Sequence, residues 1–540
     1  MKFKRSLLAV PAALALALSA CSSGTASDDN SSADASSTAG ASTGIVTANG
    51  SEPQNPLIPA NTNETGGGRI VDLLFAGLVY YDAEGATHNE MAESIETDDS
   101  QNYTIKIKEG QKFSDGTEVQ AHNFVDAWKL AVSEAQLSAY FFEPIEGYSD
   151  EAGSELTGLT VVDDYTFTVA LNQPESDFPQ RLGYSAFFPL PDSTLADTEN
   201  GGEHPVGNGP YMLASDDAWE HNVQIQLVPN PEYQGDRAAQ NGGVTIVFYA
   251  QQDAAYADLT AGNLDVLDAI PDSALSTFED ELGDRAVNQP SAVFQSFTIP
   301  QSLPHFSGEE GQLRREAISL SINRDQITDT IFSGTRTPAV DFTSPVVDGF
   351  NDSLEGSDIL TYDTERAADL WAQADAISPW EGTFAIAYNS DGGHQTWVDA
   401  VTNSIKNTLG IDAEGAPYPD FASLRTEVTD RTITTAFRTG WQADYPGLYN
   451  FLAPIYATGA GSNDGDYSNP EFDSLLSQAA AASDADTANG LLDQAQEILL
   501  TDLPAIPLWY SNVTGGFGES VDNVVFGWNS VPLYYAVTKN

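Results

Sequence analysis

A single cysteine, Cys21, stands in a chain of 540 residues, so no internal disulfide can form. Basic residues are scarce as well: 21 Lys and Arg face 79 Asp and Glu, for a formal net charge of −58. Such a field repels phosphate backbones and anionic lipid surfaces, which excludes nucleic acid as a partner. The acidic excess is spread along the chain rather than gathered in a run, and reads as a solvated surface. Six histidines are scattered, and no pair sits at ligand spacing on a helix, which argues against a zinc site. There is no H-E-x-x-H, no Walker A loop and no credible G-x-G-x-x-G, so metalloprotease, nucleotide-hydrolase and dinucleotide chemistries have no foothold. "GASTG" at 40–44 matches G-x-S-x-G in letters only, because neither a strand before it nor a helix after it is in prospect. "SNDGDYSN" at 462–469 lacks the residue order of a calcium loop and reads as a polar turn. No cofactor and no enzyme activity are expected.

What is present is core-forming. Hydrophobic residues make up 41% and aromatics 10%, and the length exceeds what one core fills, so a multi-lobed globular protein is expected. The N-terminus has Lys2, Lys4 and Arg5, then the apolar run Leu7 to Leu18, too short to span a membrane: an export signal over residues 1–20. It ends in Leu18-Ser19-Ala20-Cys21, which resembles the lipobox of bacterial lipoproteins, in which the cysteine is diacylated. Cys21 is therefore expected to anchor the protein to the cell membrane outside the cytoplasm, since two acyl chains hold where one does not. Residues 22–44 use only small and polar types and read as a flexible tether.

Beyond Ile45 the pattern mixes periods. Residues 103–108, 165–171, 223–228, 244–249 and 383–388 alternate at period two and predict half-buried strands. Phe124, Ala127, Trp128 and Ala131 fall at helical spacing, as do Leu313, Ala317 and Leu320 in part. Helices are also predicted over 364–374, 395–409, 469–482 and 488–500, and the closing "VPLYYAV" reads as a strand returning to an early sheet.

Seven stretches share one resemblance: "LLFAGLVYYDAEG" (73–85), "YTIKIKEGQKFSDGTEVQAHNFVDAWK" (103–129), "HPVGNGPYML" (204–213), "NPEYQG" (230–235), "LTAGNLDVLDAIP" (259–271), "LRREAISLSINRDQI" (313–327) and "GWQADYP" (441–446 for its last six residues). In this order they resemble the blocks of family 5 extracytoplasmic solute-binding proteins, the oligopeptide and dipeptide receptors of ABC importers. One departure is visible at Gln120-Ala121-His122-Asn123, where the family has Thr-Ala-x-Asp; Gln is the weaker helix cap.

The resemblance implies an α/β, two-lobed periplasmic-binding-protein-like type II fold, in its large three-domain variant with a hinge and an interlobe cleft. It places a discontinuous domain I at 45–75, 206–297 and 509–540, an inserted subdomain at 76–205 and domain II at 298–508. It also implies that Gly440, Trp441 and Asp444 sit in the cleft, with Asp444 taking a peptide's α-ammonium. On its own, Asp444 before Pro446-Gly447 reads as a turn residue. Arg438 and His394 resemble the cations that meet the peptide carboxylate, and Asn63, Glu64 and Thr65 occupy the place of the family's cleft-lining N-terminal strand and loop. A monomer handing peptide to permease and ATPase subunits follows. The alternatives are an oligosaccharide receptor of the same fold, stacking sugar on Trp441, or a lipid-anchored hydrolase or adhesin.

Overall fold

In the computed structural model, residues 43–149, 153–390, 393–419 and 421–539 are described; Cys21, the export signal and nearly all of the tether lie outside the described residues. The alternation at 103–108 becomes the strand Asn102–Ile107, in which Tyr103, Ile105 and Ile107 are buried and the residues between them are exposed. It sits in a four-stranded antiparallel sheet between Ala92–Glu96 and Thr166–Ala170, with Leu159–Asp163 at the far edge. The helix Ala121–Ser133 covers this sheet with Phe124, Ala127, Trp128 and Ala131, all buried. Trp128 meets Phe142, Phe167 and Phe187, and its indole N–H donates to the Phe187 carbonyl at 2.9 Å. Where Gln120 replaces a better cap, its backbone N–H donates to Asn123 Oδ1 at 2.8 Å, so the first turn is tied from within.

A twelve-stranded sheet runs through the rest of the molecule. One half carries Ile45–Gly50 parallel to Gly243–Phe248, with Gln224–Pro229 antiparallel beyond it. The other half carries Thr383–Asn389 between two parallel neighbours, Asp412–Tyr418 and Ala436–Gln442. Two strands of 13 residues, Ala286–Thr298 and Ala505–Phe517, pair antiparallel and join the halves. Their register breaks between Pro290 and Phe294, where proline removes a ladder donor and the strand can bend. Two large cores form. One gathers buried residues from Val46 to Ile246 together with Val266 and a set from Val513 to Val537; the other runs from Ala292 to Tyr510 and adds Trp528.

Predicted helices appear with ends set by caps. Pro470–Ala480 starts after Asn469, whose side chain accepts from Glu471 and Phe472, and Ala485–Asp502 starts earlier than expected because Asp484 Oδ1 accepts from Thr487 N–H at 2.8 Å. Thr364–Ile377 and Gln395–Leu409 are also helical. The stretch 313–327 is structural: the Arg314 guanidinium lies 4.4 Å and 5.1 Å from the Trp371 and Trp380 ring centres, and buried Arg324 donates to the carbonyls of Ser319, Leu360 and Pro507.

The closing segment corrects an expectation. Residues 534–536 form a turn and Pro532, which lacks a donor, makes only an isolated bridge with Phe526, while Asn241 Nδ2 donates to the Tyr534 and Val537 carbonyls, both at 2.8 Å. The strand that returns to the early sheet is Ala505–Phe517, through Val266–Leu267.

Candidate functional site

The segment 59–69, where the resemblance implies a strand and loop, is instead a 3-10 turn, Pro59–Asn61, followed by the helix Thr65–Leu74. Glu64 caps that helix, its carboxylate accepting from Gly67 N–H at 2.9 Å. Glycine is needed there, since a Cβ at Gly67 would stand 2.5 Å from Glu64 Oε1 and 2.7 Å from Thr62 Cγ2. The helix then presents Thr65, Gly68, Arg69 and Asp72 on one face, at the spacing that repeats along a helix side.

That face lines a cavity of about 400 Å³. Leu73, Val79, Phe188 and Tyr534 of the first core line it, as do Ala443 and Trp528 of the second, with Gln442 and Asp444 on either side of Ala443. Asp444 follows the strand Ala436–Gln442 and is held by one side chain, that of Asn450. Asn450 Oδ1 accepts from the Asp444 backbone N–H at 2.9 Å and from the Trp441 indole at 3.2 Å, while its amide donates to Asp444 Oδ2 at 3.0 Å. Burial raises the Asp444 carboxyl above the usual carboxylate range, opposed by the Asn450 amide and the charge of Arg181. Among the described residues it forms no salt bridge.

The next residue ties the two cores together. Tyr445 O–H donates to Asp177 Oδ2 at 2.5 Å, and the Arg181 guanidinium, paired with Glu175 and Asp177, lies 5.5 Å from the Tyr445 ring centre. Ser176 Oγ adds a hydrogen bond to the Ala479 carbonyl at 2.9 Å. Asp444 is thus seated at a join between lobes, and a loop alone would not fix it so firmly.

The cavity therefore gathers Asp444 with Asn63, Glu64 and Thr65. Gly440, Trp441, Arg438 and His394 lie outside its lining. Gly440 and Trp441 pair with Gln295 and Phe294 across the strand Ala286–Thr298. Arg438 Nε donates to Asn389 Oδ1, at the carboxyl end of the strand Thr383–Asn389, at 2.8 Å, and its guanidinium stacks over Phe421 at 4.9 Å. His394 stands at the start of the helix Gln395–Leu409, where its Nδ1 accepts from the Trp397 indole at 3.1 Å. Sequence reasoning missed Asn450, Asp72 and the cavity tyrosines, among them Tyr81 and Tyr184. Asp72 had a signal: it falls at i+7 from Thr65, visible once the glycine run is read as helix.

Over residues 86–463 the chain matches the family model described as "Bacterial extracellular solute-binding proteins, family 5 Middle". The chain belongs to that family. It is 26% identical to the oligopeptide-binding protein OppA of Bacillus subtilis (strain 168), over 97% of each chain. It is 29% identical to the probable deoxycholate-binding periplasmic protein YgiS of Escherichia coli (strain K12), over 86% of this chain and 87% of the other. In structure it overlays the unliganded open form of the periplasmic murein tripeptide binding protein MppA with a TM-score of 0.81 and 22% identity, covering 92% of this chain and 97% of that one. As a family 5 solute-binding protein, the chain has the mixed α/β, two-lobed binding-protein fold that its motifs implied.

Proposed function

We propose that this family 5 protein is a peptide receptor that binds without chemistry and delivers its ligand to the permease and ATPase of an ABC importer. The observation that carries the reading is Asp444: a half-buried carboxylate, with no salt-bridge partner among the described residues, lining a cavity that residues of both cores share. A peptide's α-ammonium supplies the missing charge through short, charge-assisted hydrogen bonds. Asn63, Glu64 and Thr65 border the same space, and Trp441 and Gly440 hold the strand that presents Asp444. Arg438 and His394 are assigned to the carboxylate end of the peptide. Contact with both lobes lets ligand favour closure, since a ligand equally accommodated open or closed shifts nothing.

Native mass spectrometry of protein purified without refolding tests the reading. A ladder of peptide masses released on activation is expected. Hexose spacings, or a single sterol-like mass, would overturn it in favour of a glycan or bile-acid receptor.

The receptor is further proposed to be a monomer anchored through diacylated Cys21, with residues 22–44 as tether. Cys21→Ala should then move the protein from the membrane fraction to the soluble fraction or leave it unprocessed. Retention in the membrane with the signal removed would show that Cys21 is not the anchor.

A further inference from the structure

The cavity holds more negative charge than one ammonium needs. Its lining contains the carboxylates Glu64, Asp72, Asp82 and Asp444 and the cations Arg69 and Arg237. Both cations are already committed, Arg69 to Asp268 and Arg237 to Glu90, and neither of those partners lines the cavity. Glu64 and Asp82 are committed too. Glu64 accepts from Gly67 and Gln54, and Asp82 accepts from the N–H groups of Glu84 and Ala86 and meets His88 at 2.8 Å. Two carboxylates remain with open lone pairs. Asp444 uses only Oδ2, on Asn450, and the Asp72 carboxylate takes part in no hydrogen bond or ion pair among the described residues. Arg237 reaches the Asp72 carbonyl at 3.1 Å, yet its guanidinium is turned to Glu90.

Asp72 is also half-buried in the cavity wall. Burial pushes its carboxyl up to about 6, with Arg237 lowering it and Glu90 raising it. Asp72 and Asp444 flank the same two phenols: Tyr81 and Tyr184 are both raised chiefly by burial, and the charges of both carboxylates add to it. The two acids thus share one tyrosine-walled space, in which a second cation would find carboxylate oxygen and aromatic face together.

The helix leaves room for it. One turn before Asp72 stands Gly68, where a Cβ would meet no atom within 4 Å. Packing does not demand glycine at this position, and glycine inside a helix is destabilising relative to alanine. Its effect is to keep open the volume beside Asp72 on the cavity face.

We infer that Asp72 is a specificity-determining residue of this cleft, which pairs with a cationic side chain at the first position of a peptide whose α-ammonium sits on Asp444. The inference rests on the peptide reading above and narrows it to peptides beginning with lysine or arginine. A chain of formal charge −58 adds long-range attraction for such ligands.

Titration calorimetry with Lys-Ala-Ala-Ala and Ala-Ala-Ala-Ala tests it, on the intact protein freed of co-purified ligand by unfolding and refolding. Wild type should prefer the lysine peptide by about tenfold or more, the worth of one added charge pair in a part-desolvated site. Asp72→Asn should collapse that ratio to within about twofold, chiefly by weakening the lysine peptide. Asp444→Asn should weaken both peptides and leave the preference standing. Equal affinities in wild type would overturn the assignment, as would an Asp72→Asn variant that weakens both peptides alike, which is the mark of a structural role. Spermidine binding as tightly as the lysine peptide, with the same dependence on Asp72, would overturn it in favour of a polyamine site. If neither peptide binds, the peptide reading itself fails and Asp72 with it.

Discussion

Asp444→Asn is expected to weaken binding of free-amine peptides by about 2–5 kcal/mol, the range seen when one partner of a buried, hydrogen-bonded charge pair is lost. Most of that loss comes from leaving the ligand's ammonium desolvated opposite a neutral amide. The asparagine keeps the shape of the turn, and its backbone N–H can still donate to Asn450, so the fold should survive. Titration calorimetry beside circular dichroism separates the two effects. The pH dependence has a definite sign. Burial holds the Asp444 carboxyl above its ordinary value, so the empty fold becomes more stable as pH falls and that carboxyl is neutralised. Ligand affinity moves the other way: it is full above the raised value and fades as pH drops through it, because the ammonium selects the ionised acid.

Arg237→Met is expected to lower folding stability by about 3–5 kcal/mol, the cost of removing one member of a buried ion pair. The Arg237 guanidinium donates to both oxygens of Glu90 at 2.8 Å and 2.9 Å and to the carbonyls of Asp72 and Phe75. Glu90 has no exposed side-chain surface, so its charge would be stranded when the arginine goes. Urea unfolding measures the loss, and adding Glu90→Gln should recover part of it by removing the stranded charge. A loss below about 1 kcal/mol would mean that water or a neighbour takes the place of Arg237. The same arginine braces the cavity wall, because it ties the end of the Thr65–Leu74 helix to the segment carrying Glu90.

The local elements were legible because their periods are physical. Alternation at 103–108 and 244–249 marks strands with one buried face, and the spacing of Phe124 to Ala131 marks a helix lying on a sheet. Two readings failed where local text competes with context. "VPLYYAV" has strand-forming residues, yet Pro532 and the Asn241 side chain satisfy its backbone in turns. The resemblance implies a cleft-lining strand and loop at 59–69, yet the Glu64 cap and the tight packing at Gly67 make a helix from Thr65 onward. For the site, Asp444 could be singled out by its motif. Asn450, which holds it, could not, since six residues along the chain become neighbours only through the turn at Pro446 and Gly447. Asp72 was hidden for a related reason: only the folded chain brings its helix face and Asp444 to one cavity.

The most direct measurement is a four-way titration: wild type and Asp444→Asn, each with one tetrapeptide bearing a free or an N-acetylated amine. If Asp444 pairs with the α-ammonium, acetylation weakens wild-type binding strongly and costs the variant far less, giving a coupling energy of roughly 2 kcal/mol or more. If acetylated and free peptides bind the wild type equally well, or the substitution weakens both to the same degree, Asp444 is a turn residue and the ammonium is held elsewhere.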